Sequence, residues 1–295
     1  MHRFAFGITD DDYLIARRGF VAGGRRGTPS FYYPSPERVA IFDDFNQNPT
    51  SQLTSTDTGG LLASALTFNN AGISFIEKEA EAGIGTFTHL TAVNGVHRSE
   101  QTTKPSAKTA AGGHFGIIGE HRQWKPNMAY GGDKMSLRYG VRLKLGAYRT
   151  LGSIFMGFTD DTGTVEMPVS DTGATAGVIS PAADYMGFLF GSNADTGWRG
   201  VSGQNGTDQE VLLADAGENP DTGVYHTYEF EFVAGPGDTG GRVIFYIDGI
   251  PKGSIGNPIT QNVGLTPIVL GFDTGANAVI DTDWVAVSAP RDTGT

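Results

Sequence analysis

The chain has 295 residues, 39% hydrophobic and 11% aromatic, with a formal net charge of −11 and no cysteine. That length and apolar content suffice for one large core or two ordinary ones. The acidic balance argues against a dedicated nucleic-acid-binding domain, and the lack of cysteine excludes a disulfide framework and any thiolate metal site.

No stretch reaches the roughly 18 apolar residues of a membrane-spanning helix. The N-terminal MHRFAFGITDDD holds no apolar run of signal-peptide length, which points away from the general secretory route. Glycine, at 43 residues, is about double its usual share of roughly 7% and predicts many turns.

Residues 1–37 read as an extended arm. Arg17-Arg18 and Arg25-Arg26 bracket Phe20-Val21-Ala22-Gly23-Gly24, and Phe31-Tyr32-Tyr33 lie among prolines. Gly and Pro at this density oppose both a helix and a central strand. A basic, aromatic arm on an acidic domain suits docking onto a neighbouring subunit. The docking residues predicted are Arg17, Arg18, Phe20, Arg25, Arg26, Phe31, Tyr32 and Tyr33.

The globular part, 38–295, opens with Val39 to Phe42. Short strands follow over 61–68, 73–76 and 87–93. Residues 94–134, polar and rich in Gly, Pro and Thr, are expected as a long loop or insertion. Met135 to Leu145 is the cleanest strand: every odd position is apolar and three cations, Arg138, Arg142 and Lys144, lie between. Residues 153–158 and 185–190 are more continuously apolar, as central strands are. Residues 224–253 hold a hairpin pattern in which Tyr228, Phe230 and Phe232 alternate with Thr227, Glu229 and Glu231. A Gly/Pro/Asp turn separates them from Val243, Phe245 and Ile247, and Asp248-Gly249 is a turn pair. Strands continue at 268–272 and 279–288, and no helical pattern exceeds two turns. Short strands with regular turn signals predict an all-β fold, an antiparallel β-sandwich.

Three segments together resemble the concanavalin A-like lectin/glucanase jelly roll of the laminarinase (LamG) type. They are Tyr225-His226-Thr227-Tyr228-Glu229-Phe230-Glu231-Phe232, Val243-Ile244-Phe245-Tyr246-Ile247-Asp248-Gly249, and Ile280-Asp281-Thr282-Asp283-Trp284-Val285-Ala286-Val287. The resemblance implies one jelly-roll domain over 38–295, with its first and last strands together. It places the 225–232 strand on the convex sheet, away from a ligand cleft. Its members include enzymes, lectins and structural modules, so the fold does not choose among them.

The glucanases of that family carry E-x-D-x-E strands, whose period of 2 lines carboxylates on one face as nucleophile and general acid. The nearest segment here is Glu77-Lys78-Glu79-Ala80-Glu81. Lys78 in place of an apolar anchor makes it a solvated strand edge. Asp-Thr-Gly, the aspartic-protease tripeptide, occurs eight times. Eight copies cannot form catalytic pairs, and they read as turns in which Asp caps and Gly takes positive φ. Asp160-Asp161 tempts as a calcium loop, but without a spaced ligand run it reads as an acidic turn. The histidines have no zinc spacing, so neither metal nor cofactor is expected. Trp124, Tyr130 and Trp198 stand in polar, Gly-rich surroundings and are the candidate glycan platforms; Trp284 is expected in the core.

The sequence therefore predicts a non-enzymatic module. An extended arm on a Gly-rich, cysteine-free jelly roll is similar in architecture to virion structural proteins of tailed phages, of the capsid-decoration or fibre type. That similarity implies a virion location, capsid or tail subunits as partners, and a homo-oligomer. The alternatives are a lectin-like adhesion domain binding a host-surface glycan, and a degenerate β-glucanase.

Overall fold

The computed structural model describes residues 38–43, 52–54, 64–66, 75–79, 85–90, 96–101, 114–119, 124–126, 129–130, 133–134, 137–146, 152–161, 167–171, 176–178, 182–191, 197–214, 223–235, 240–260, 262–273 and 279–290. Among these, the regular structure is entirely strand. In chain order the strands are β1 (Arg38–Asp43), β2 (Gln52–Thr54), β3 (Ser64–Leu66), β4 (Phe75–Glu79), β5 (Gly85–Leu90), β6 (Val96–Gln101) and β7 (His114–Gly119). They continue with β8 (Ala129–Tyr130), β9 (Asp133–Lys134), β10 (Leu137–Leu145), β11 (Gly152–Thr159), β12 (Val169–Asp171), β13 (Ala176–Val178) and β14 (Tyr185–Gly191). The last are β15 (Trp198–Gln204), β16 (Thr207–Ala214), β17 (His226–Ala234), β18 (Gly241–Ile247), β19 (Ile250–Gly256), β20 (Thr266–Asp273) and β21 (Val279–Pro290).

Two antiparallel sheets make the sandwich. The first runs β19-β18-β17-β10-β21-β6-β5, with β1 also paired to β21; the second runs β16-β15-β14-β11-β20-β7-β4. The opening strand lies against the closing one as expected, Val39 opposite Ala289 and Phe42 opposite Ala286. Within 94–134, read as a long loop or insertion in which Phe115 to Ile118 could pair as a strand, lie β7 over those residues and also β6, and each joins a different main sheet. The polar composition of the stretch concealed β6, whose His97 and Ser99 are buried despite being polar.

Alternation decides which side chains meet. On β10, Leu137, Tyr139, Val141, Leu143 and Leu145 are buried in the main core, while Arg138, Arg142 and Lys144 are only partly covered. Tyr228, Phe230 and Phe232 on β17, with Val243, Phe245 and Ile247 on β18, enter the same core. From the second sheet, Met186, Phe188, Phe190 and Trp198 face them. Phe188 stacks edge-on to Phe245 and Tyr228, with ring centroids 5.2 and 5.6 Å away. Trp198 lies 4.4 Å from Tyr228. Tyr139 spans the interior, its hydroxyl donating to the Ile268 carbonyl at 3.0 Å.

The turns follow local chemistry. Asp248 and Gly249 have φ of +52° and +76°, the left-handed pair that a two-residue hairpin turn requires. Gly223 and Gly240, each closing an Asp-Thr-Gly, have φ of +91° and +81°, which fits the turn reading of that tripeptide. Gly200 is glycine for another reason. A methyl there would sit 2.5 Å from Phe245 Cε2, so the aromatic ring occupies the space a side chain would need.

These packing relations have measurable consequences. Phe188→Ala should destabilise the fold by about 3–5 kcal/mol through cavity formation, and Gly200→Ala by about 1–3 kcal/mol through overpacking. Ser202 is fully buried with a hydroxyl that finds no partner, so Ser202→Ala should leave stability unchanged or raise it by about 1 kcal/mol. Urea midpoints of the three variants check all three values.

Candidate functional site

The resemblance places a ligand cleft on the sheet that does not carry β17, which is the second sheet. Among the described residues, the outward positions of its central strands are apolar and covered. Tyr185 and Leu189 of β14, Phe155 of β11, Val201 of β15, Ile268 and Leu270 of β20 and Ile118 of β7 form a second apolar cluster. Met167, Val169 and Ala182 pack onto it. Thus β14 and β11 are buried on both faces, which is why their sequences are apolar throughout. At the margin, the Tyr185 hydroxyl donates to Asp208 Oδ1 at 2.5 Å. Burial, then the Asp208 carboxylate, push that phenol far above its ordinary range. Asp184 is spent on the chain itself, its Oδ1 accepting from Thr260 N–H at 2.8 Å.

The outward face of the first sheet is charged and paired. Asp281, 1% exposed, accepts from Arg98 Nε at 2.6 Å and from Lys144 Nζ at 2.9 Å. Arg142 pairs with Asp283, and Arg138 with Glu231 at 2.7 Å. The Tyr225 ring covers the Arg142 guanidinium and the Lys144 ammonium at 4.9 and 5.1 Å from its centroid. Burial and the two aspartates push its phenol up to about 12. Burial alone would raise the Asp281 carboxyl, but hydrogen bonds from Arg98 and Lys144 outweigh it and hold the group below its ordinary range. At the β18–β19 turn, Asp248 accepts from Thr227 N–H and pairs with His226 Nδ1 at 2.6 Å.

The structure separates the residues singled out by sequence. Trp124 and Trp198 are corrected as glycan platforms: they are 2% and 1% exposed and both belong to the main core. Their polar neighbours in sequence do not surround them in space, because alternation turns Trp198 inward while Arg199 faces out. Tyr130 lies in β8 opposite Asp133, with its side chain outside the described residues. Glu77 and Glu79 lie on β4, the edge strand, opposite Ile117 and Phe115 of β7; Glu81 lies outside the described residues. Glu231 pairs with Arg138, which β10 sets directly opposite it. Asp160 N–H donates to the Asp184 carbonyl and Asp161 N–H to Thr159 Oγ1, as an acidic turn would. No group of three metal-ligating side chains assembles among the described residues. Trp284 is buried, opposite Arg142. The arm residues Arg17, Arg18, Phe20, Arg25, Arg26, Phe31, Tyr32 and Tyr33 lie outside the described residues.

Sequence reading missed the network around Asp281. Its signal was present as three alternating cations on β10 and alternating aspartates on β21, but not which would pair.

No protein-family model and no curated protein sequence matches the chain. Solved structures do resemble it. One is a GlcNAcα1-4Gal-releasing endo-β-galactosidase from Clostridium perfringens, 14% identical, with a TM-score of 0.51 over 88% of this chain and 64% of that one. An endo-1,3-β-glucanase from Streptomyces sioyaensis is 13% identical over 88% and 99% of the two chains, TM-score 0.47. The winged bean acidic lectin is 10% identical over 86% and 100%, TM-score 0.46. The neighbours are jelly-roll glucanases and legume lectins of the concanavalin A-like type, and at these identities the likeness concerns the fold alone.

The pairing of Asp281 predicts acid sensitivity. Its carboxyl titrates lower in the folded chain than in the unfolded one, whose value is about 3.9. Stability from this pair is therefore complete above that value and is lost as pH falls through the folded one. The urea midpoint should drop as pH is taken from about 4 downward through the folded value, and Asp281→Asn should flatten that part of the profile while lowering the midpoint at neutral pH.

Proposed function

We propose that the chain is a non-enzymatic structural protein of a virion, of the capsid-decoration or fibre type, whose jelly roll is a scaffold and whose residues 1–37 dock it onto capsid or tail subunits. The observation that carries the non-enzymatic part is positive. The face where carbohydrate-cleaving relatives would open a cleft is filled by Phe155, Tyr185, Leu189, Ile268 and Leu270, beneath Met167 and Val169. A sugar laid over β11, β14 and β20 on that face would have to displace this apolar cluster. The docking part is supported by the composition of the arm: residues 13–36 carry four arginines and no acid, on a chain of net charge −11.

Two experiments test the two parts. Incubation of the purified chain with β-1,3- and β-1,3-1,4-glucans should release no reducing ends; release would overturn the non-enzymatic reading. Deleting residues 1–37 should leave the circular-dichroism spectrum and urea midpoint of the sandwich in place while abolishing co-sedimentation with particles. Docking that survives the deletion would overturn the arm's role. Saturable binding on a glycan array would favour the lectin-like alternative.

A further inference from the structure

The hairpin that joins β15 to β16 turns over two residues, Asn205 and Gly206, with Gln204 set opposite Thr207. Their φ angles are +49° and +74°, the left-handed pair of a type I′ turn, which Asn-Gly favours. Both residues are exposed. Asn-Gly is also the dipeptide most open to an intramolecular reaction. The backbone nitrogen that follows an asparagine can attack its side-chain carboxamide, and glycine has no Cβ to obstruct the approach.

The turn sets its geometry against that reaction. The attack closes a five-membered ring through the Gly206 nitrogen and the backbone carbonyl carbon, Cα, Cβ and Cγ of Asn205. Closure needs the Gly206 nitrogen and Asn205 Cβ nearly eclipsed about the Cα–C bond. A type I′ turn sets ψ at about +30° at its first central residue, which holds the two atoms nearly opposite. The attacking group is tied as well, the Gly206 N–H donating to the Ala183 carbonyl at 2.9 Å. The strand ends beside it are strapped to the residue that follows β19. Asn257 Nδ2 donates to Gln204 Oε1 at 3.0 Å, and Gln209 Nε2 donates to the Asn257 carbonyl at 3.1 Å. Next to the turn, Asp208 accepts from the Tyr185 hydroxyl.

We propose that Asn205 is a self-modification site, at which the chain converts asparagine into aspartyl and isoaspartyl residues, and that the β15–β16 turn times the conversion by blocking it until the tip opens. In the open tip the Gly206 nitrogen gives its proton to solvent and bonds to Asn205 Cγ. The Cγ–Nδ2 bond breaks, and the amide nitrogen leaves as ammonia, taking a proton back from solvent. Water then opens the ring. Cleavage at Cγ leaves an aspartyl residue in the ordinary chain, and cleavage at the backbone carbonyl carbon leaves an isoaspartyl linkage. One water is consumed and one ammonia released, with no change of oxidation state. The two products differ in consequence. An aspartyl residue tolerates the positive φ and adds a charge beside Asp208. An isoaspartyl linkage inserts a methylene into the two-residue loop, so Gln204 and Thr207 no longer face each other and the tie to Asn257 is lost. The tip then stays open, which makes the step one-way. The inference draws on the sandwich alone and is independent of the docking reading of residues 1–37.

Ageing the full-length chain tests this. Samples are held at mildly alkaline pH, one folded in buffer and one unfolded in guanidinium. Digestion and mass spectrometry follow the amide-to-acid mass gain at Asn205, with fragmentation that separates isoaspartyl from aspartyl product. Conversion should be at least about tenfold faster in the unfolded chain, as a reaction that waits on local opening requires. Asn257→Gly keeps a residue suited to the φ of +51° there and removes the side-chain tie to Gln204. It should speed conversion several-fold in the folded chain, its fold checked by circular dichroism, and leave the unfolded rate unchanged. In the unfolded chain Gly206→Ala should slow conversion several-fold, because a Cβ obstructs the attacking nitrogen. Equal rates in the folded and unfolded chains, or a folded rate unmoved by Asn257→Gly, would overturn the gating by the turn. An unfolded chain that keeps its asparagine, or yields aspartyl product alone by direct hydrolysis, would overturn the site itself.

Discussion

The aromatic packing between the two sheets is the constraint on which the rest depends. Phe188 projects from the second sheet into a group made by Tyr228, Phe230 and Phe245 of the first, and Trp198 closes on Tyr228 beside it. Stacked sheets lie about 10 Å apart, and large rings fill that gap from both sides. A one-residue slip of β17 or β14 would turn these rings to the opposite face. The register of each strand is therefore specified by the same contact that holds the sheets together. Gly200 shows how close the fit is, because its missing side chain is the space that Phe245 occupies.

With the inward faces committed, the outward faces differentiate. The first sheet turns out cations and carboxylates that satisfy one another, Asp281 being held by Arg98 and Lys144. Such partly buried pairs contribute more to arrangement than to net stability, since desolvation offsets much of their attraction. The central strands of the second sheet turn out apolar residues, onto which Met167, Val169 and Ala182 pack. Neither face is left as an open polar cleft among the described residues. The proposed function therefore rests on the arm rather than on either of these faces.

Legibility in the sequence followed the range of the interaction. The alternation of Met135 to Leu145 and of Tyr228 to Phe232 was readable because a strand's facing is set by its own period. The Asp248-Gly249 turn was readable because left-handed φ is a property of the residues themselves. Trp124 and Trp198 misled for the converse reason. Their neighbours in sequence are polar, but the residues that bury them come from other strands, Tyr228 and Phe190 for Trp198. β6 was hidden in the same way, because His97 and Ser99 are buried by their place in the sheet rather than by their polarity.

The sequence by itself determined the strand content, the inward sets of the long strands, the chemistry of the turns and the basic character of the arm. Each of these depends on residues within one element or its immediate flanks. Tertiary structure alone decided what covers each face of β14, that Glu231 meets Arg138, and that Arg98 meets Asp281, 183 residues away in the chain. It also decided that β16 and β19 lie together at one flank of the sandwich, since strands distant in sequence must first take their order. Pairing between remote strands is a property of the whole arrangement, and no local pattern encodes it.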